Sequence, residues 1–158
     1  MPGPAPFLPV TPLIATHVAA GIGALVAGAV AMFATKGSTR HRRAGLCYLA
    51  ALAVLAFTGG MLALEAWAAR AHLFVLGTLA FMLALMGYIA KRRRREGWIV
   101  RHLVAMGFSY IVMLTAFYVD NGPRLPLWWR LPAWALWVLP SAIGAPLIGR
   151  ALARRRAG

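Results

Sequence analysis

Residues 36–45 read Lys36-Gly37-Ser38-Thr39-Arg40-His41-Arg42-Arg43-Ala44-Gly45, a basic stretch with a histidine at its centre. Before it, residues 13–35 run 23 positions without a formal charge. At ~1.5 Å per residue, a helix of that length crosses a hydrocarbon core of ~30 Å with a slight tilt. After it, residues 44–64 form a second apolar run. A short basic segment between two such runs is the connection between antiparallel membrane helices.

Working outward, the same pattern repeats at residues 71–90 and 98–119, and again at about 129–148, where Pro132, Pro140 and Pro146 predict kinks. The sequence therefore predicts an all-α integral membrane bundle of five helices. The first four are expected to form a core with the fifth beside it, all within a single transmembrane domain, residues 1–158. Composition agrees. Of the 158 residues, 61% are hydrophobic and 13% charged, and the mean hydropathy is +0.72. Soluble domains are about half apolar and about a quarter charged. The first 11 residues are proline-rich and uncharged, without the basic start of a signal peptide, so the first helix is expected to begin near Pro12 and to remain as an anchor.

A net charge of +14 would point to nucleic acid in a soluble chain. Here the cations sit at the ends of apolar runs, which favours anionic lipid headgroups and argues against nucleic acid. Fourteen of the 17 lysines and arginines fall in the first connection, the third connection and the tail; only Arg70, Arg124 and Arg130 lie on the opposite side. By the positive-inside rule the N-terminus is outside and the C-terminus cytoplasmic. Trp128, Trp129, Trp134 and Trp137 are then expected to form an outer interfacial belt. The single cysteine, Cys47, excludes a disulfide framework.

The four histidines, His17, His41, His72 and His102, each fall near the start of one of the first four spans. Neighbouring spans run in opposite directions, so the depths alternate. His17 and His72 are expected toward the outer face, and His41 and His102 toward the cytoplasmic face. Two histidines facing each other across a bundle can hold a haem iron axially. Two such sites would make an electron path across the bilayer. Arg42, Arg43 and Arg101 are placed to contact haem propionates, with Arg40 beside them. Small residues follow His17 at helical spacing (Gly21, Ala24, Gly28), and His102 leads to Met106, Ser109, Met113 and Phe117.

Each of these features also has a plain structural reading. Small residues let helices approach closely in lipid, a Met and Phe stripe fills a core, and arginines at span ends snorkel to headgroups. A histidine at a helix end is a tolerated polar residue. The set of four keeps haem ligation, another metal or proton-linked role, and no cofactor all open.

The run from His17 through Gly21 and Gly28 to KGSTRHRRAGLCY (residues 36–48) resembles the signature of a bacterial family of predicted multi-pass membrane proteins of unknown function. That resemblance implies an inner-membrane protein. The histidine plan is similar to that of two-haem transmembrane b-type cytochromes. In addition, His41-Arg42-Arg43-Ala44-Gly45 looks like the histidine-arginine-x-x-glycine element of ferric-reductase-like membrane domains. These resemblances imply that His17 and His72 are outer ligands, and His41 and His102 inner ligands, of haem b. The chain departs from them in span number and in histidine number. It also lacks a flavin or nicotinamide fingerprint, so a quinone or a separate redox partner would have to supply electrons.

Other chemistry is sparse. Glu65, Glu96 and Asp120 are the only acids, and Glu65 and Asp120 are expected to pair with Arg70 or Arg124 at the interface. No carboxylate pair or Ser/His/Asp set supports hydrolysis. The expectation is a b-type cytochrome-like electron carrier, or the membrane subunit of an oxidoreductase. The competing expectation is a non-redox membrane protein: transporter-like, metal- or proton-binding, or an assembly factor.

Overall fold

The computed structural model describes residues 10–126 and 128–157. The proline-rich start and its expected character lie outside the described residues. Among the described residues there are five α-helices: α1 Val10–Phe33, α2 Thr39–Leu64, α3 Trp67–Arg93, α4 Trp98–Asn121 and α5 Ala133–Ala157. All five are long and apolar enough to cross a membrane. Among the described residues there is no strand.

The helices outrun the apolar windows. α3 begins at Trp67 and continues through Arg93, and α5 continues to Ala157. Arginine is a good helix former, so basic tails extend a helix past the hydrocarbon. The fifth helix also starts later than hydropathy indicates. Trp128–Arg130 forms a separate 3-10 turn, and the α-helix begins only after Pro132, which has no backbone N–H to donate. Pro140 and Pro146 lie within the continuous helix.

The chain divides into two compact units, residues 1–75 and 76–158. In the first, α1 and α2 form an antiparallel hairpin joined by the basic stretch. Gly37 takes φ +82°, a left-handed conformation that costs glycine little. Ser38 then caps α2, its Oγ accepting from the His41 N–H at 3.2 Å. Ala24, Tyr48 and Leu52 are buried in this hairpin. A Cβ on Gly21 would stand 3.6 Å from Leu55 and one on Gly23 3.9 Å from Ala51. Both are ordinary van der Waals distances, and Ala24 is fully buried. The head of α3 joins this unit where Phe74 lies on Gly60; a Cβ there would be 3.4 Å from the ring.

In the second unit α5 runs back along α4, with Leu136 on Gly122, Ile111 on Gly144 and Ile148 on Gly107. α3 meets α4 where Met106 packs on Gly87, and a Cβ on that glycine would lie 2.9 Å from Met106 Cγ. Ser109 is fully buried and donates to the Ala80 carbonyl oxygen at 2.8 Å.

Three cations cap helix C-termini, whose last carbonyls have no intrahelical donor. Lys36 donates to the carbonyl oxygens of Ala31 and Met32 at the end of α1, and burial lowers its ammonium pKa from the ordinary lysine value. Arg70 donates to Leu62 O at 3.0 Å near the end of α2. Arg124 donates to Asp120 O at 3.2 Å near the end of α4. Arg70 and Arg124 thus act on backbone carbonyls, a role that the expected pairing with Glu65 and Asp120 did not include.

Candidate functional site

The histidines are built into the helices that pack against each other. His17, on α1, reaches across to α2, where its Nδ1 lies 2.9 Å from Thr58 Oγ1. Thr58 is buried, and its hydroxyl donates back along its own helix to Val54 O at 2.7 Å. A hydroxyl has one proton, so with that proton directed at Val54 the oxygen is left to accept. In that arrangement Nδ1 would carry the His17 proton. Gly59, the next residue, gives the ring room: a Cβ there would stand 3.1 Å from His17 Cε1.

His41 sits in the first turn of α2, fixed by the Ser38 cap. Its Nδ1 lies 2.8 Å from the carbonyl oxygen of Ala31, near the end of α1. His102, in the second turn of α4, places Nδ1 2.9 Å from the carbonyl oxygen of Gly87 on α3. A carbonyl only accepts, so in both residues Nδ1 carries the proton. The close approach at Gly87 and Met106 lets the short imidazole arm of His102 reach backbone.

Three histidines therefore share one arrangement. Each sets Nδ1 against an oxygen of a neighbouring helix, and where Nδ1 carries the single proton of a neutral ring the lone pair is on Nε2. This is the tautomer of a metal-ligating histidine held by its second nitrogen. All three rings are only partly buried.

His72 is placed differently. It is exposed and lies two residues before Phe74, the ring that seats the head of α3 on Gly60. Gly59 borders His17 and Gly60 borders Phe74, so adjacent glycines of α2 receive the helices that carry His17 and His72. His41 and His102 belong to different units, and each is defined by the contacts within its own.

The candidate propionate contacts are all exposed. Arg101 donates to the carbonyl oxygen of Glu96, which ties it into the turn before α4, while Arg42 and Arg43 lie in the first two turns of α2. The Met and Phe stripe after His102 is packing in part: Met106 lies on Gly87, Ser109 and Met113 are buried, and Phe117 packs edge-on against Tyr118 at 5.4 Å. Among the described residues no group of three or more His, Cys, Asp or Glu side chains comes together. The set that structural zinc takes from protein is therefore not formed there.

Sequence reasoning missed Thr58, Gly59 and Gly87. Thr58 stands 41 residues from His17, and the acceptors for His41 and His102 are backbone carbonyls, which no side-chain motif records.

A family model described as "Predicted membrane protein (DUF2306)" matches residues 14–143. The chain belongs to that family. Neither the curated proteins nor the solved structures contain a significant match. The likeness to two-haem cytochromes accordingly rests on the histidine plan alone.

Proposed function

We propose that this member of a membrane-protein family is a b-type cytochrome-like electron-transfer protein of the bacterial cytoplasmic membrane, with histidines as axial haem ligands. One observation carries the reading: His17, His41 and His102 each set Nδ1 against an oxygen of a neighbouring helix, an arrangement that favours Nδ1–H and a ligating lone pair on Nε2. Ligand orientation of this kind is what a metal-binding histidine requires of its surroundings. A surface histidine tolerated at a helix end requires no such partner.

His17 and His72 are the candidate ligands toward the outer face, on helices received by adjacent glycines of α2. His41 and His102 are the candidate ligands toward the cytoplasmic face. The exposed guanidiniums of Arg42 and Arg43 are available for propionates, and Arg101 shares that role with its bond to Glu96. Haem supplies one-electron chemistry when bound. The chain's own contribution is to fix the imidazole tautomer, to exclude water from the apolar bundle and to place cations at the cytoplasmic end. A quinone or a separate redox protein is the proposed electron partner.

A second reading is favoured by the same hydrogen bonds. His17–Thr58 ties α1 to α2 at one end of the hairpin and His41–Ala31 ties them at the other, so the histidines also serve as pins between helices in a non-redox membrane protein. Single substitutions separate the two. As a haem ligand, His17→Gln or His72→Gln removes one class of bound haem, and His41→Gln and His102→Gln each lower the haem content independently of it. Unchanged haem content in all four variants would leave pinning as the role of the histidines.

A further inference from the structure

We infer that Thr58 is a positioning residue that dictates which nitrogen of His17 carries the proton; the consequence for haem rests on the reading above, whereas the assignment of the tautomer does not. His41 and His102 meet backbone carbonyls, which can only accept. His17 alone meets a hydroxyl, which in isolation could donate to Nδ1 or accept from it. The direction is set inside α2. The Thr58 proton is held by Val54 O at 2.7 Å, with Leu55 O at 3.3 Å, and the helix thereby turns an ambivalent group into an acceptor.

The seat around the ring enforces the same result. Thr58 is 4% exposed, so water does not readily take its place as the Nδ1 partner. A Cβ on Gly59 would meet His17 Cε1 at 3.1 Å, so the ring edge between the two nitrogens lies directly on α2. Rotation of the ring to present Nε2 to Thr58 would have to move that edge off the helix. Thr58 and Gly59 together therefore hold the Nδ1–Cε1 edge of the ring against α2. Were haem bound at His17, a hydrogen bond from Nδ1–H would make the imidazole a stronger electron donor to iron, and its loss would raise the midpoint potential.

The test is long-range proton–nitrogen NMR on the haem-free, full-length chain, labelled with 15N-histidine and produced in haem-limited cells. His17→Gln identifies the His17 signals. The expected wild-type result is His17 protonated at Nδ1, with Nε2 showing the shift of an unprotonated ring nitrogen. Thr58→Ser should keep that pattern. Thr58→Val should convert His17 to the Nε2–H form or to an exchanging mixture. A wild-type His17 protonated at Nε2 overturns the inference even where Thr58→Val fails to fold, and so does an unchanged tautomer in a folded Thr58→Val. Failure of the haem reading is registered separately, by a colourless wild-type preparation from haem-replete cells. In a coloured preparation, Thr58→Val should raise the midpoint potential of one haem and Thr58→Ser should restore it.

Discussion

Gly59 and Gly60 are neighbours on α2 with different loads. A methyl at Gly59 would press on His17 Cε1 at 3.1 Å, whereas one at Gly60 would meet the Phe74 ring at 3.4 Å, an ordinary van der Waals distance. Gly59→Ala is therefore expected to displace the His17 ring and lower the haem content of the purified protein, and Gly60→Ala to leave it unchanged. Absorbance per mole of protein checks both, and equal effects would remove the special position given to Gly59. Ser109 offers a second residue-scale comparison. Its bond to Ala80 O joins α4 to α3, and interhelical hydrogen bonds in membranes average about 0.6 kcal/mol. Ser109→Ala should cost about that much in a reversible unfolding measurement; a loss of several kcal/mol would mean that Ser109 does more than join two helices.

At the scale of elements, α5 is held to α4 by side chains that fit over glycine. A Cβ on Gly144 would lie 2.5 Å from Ile111 Cγ1, while one on Gly149 would meet nothing within 4 Å. Overpacking costs about 1–3 kcal/mol. Gly144→Ala is accordingly expected to lower the thermal unfolding midpoint and Gly149→Ala to leave it unchanged or raise it slightly, because alanine is the better helix former. The reverse order would refute the α4–α5 packing described above. The existence of all five helices was legible in the sequence, since gaps between charges longer than the bilayer is thick admit little else. Their ends were less so. Hydropathy marks where lipid begins, not where a helix stops, and so α3 and α5 run on through Arg93 and Ala157. The start of α5 moved from about residue 129 to Ala133 because Pro132 and the preceding 3-10 turn interrupt the backbone ladder. The histidines themselves were legible as a set of four. Their partners were not, because a carbonyl at Ala31 or Gly87 has no sequence signature and Thr58 becomes a neighbour of His17 only once α1 and α2 fold together.

For the whole molecule, the distribution of charge makes a prediction independent of any cofactor. Lys36, Arg40, Arg42 and Arg43, the cluster from Lys91 to Arg95, and the C-terminal arginines should all face the cytoplasm. A fluorescent reporter fused after Gly158 should mature inside the cell, and a phosphatase fused after Glu65 should be active outside it. The opposite pattern would invert the orientation and exchange the outer and inner assignments of the histidines. The central claim concerns what those histidines hold. Its most direct test is the absorption spectrum of the full-length protein purified from haem-replete cells. Haem ligation predicts a Soret band in stoichiometric amount and, after dithionite reduction, a sharp band in the mid-visible. A folded, colourless, haem-free protein would contradict it.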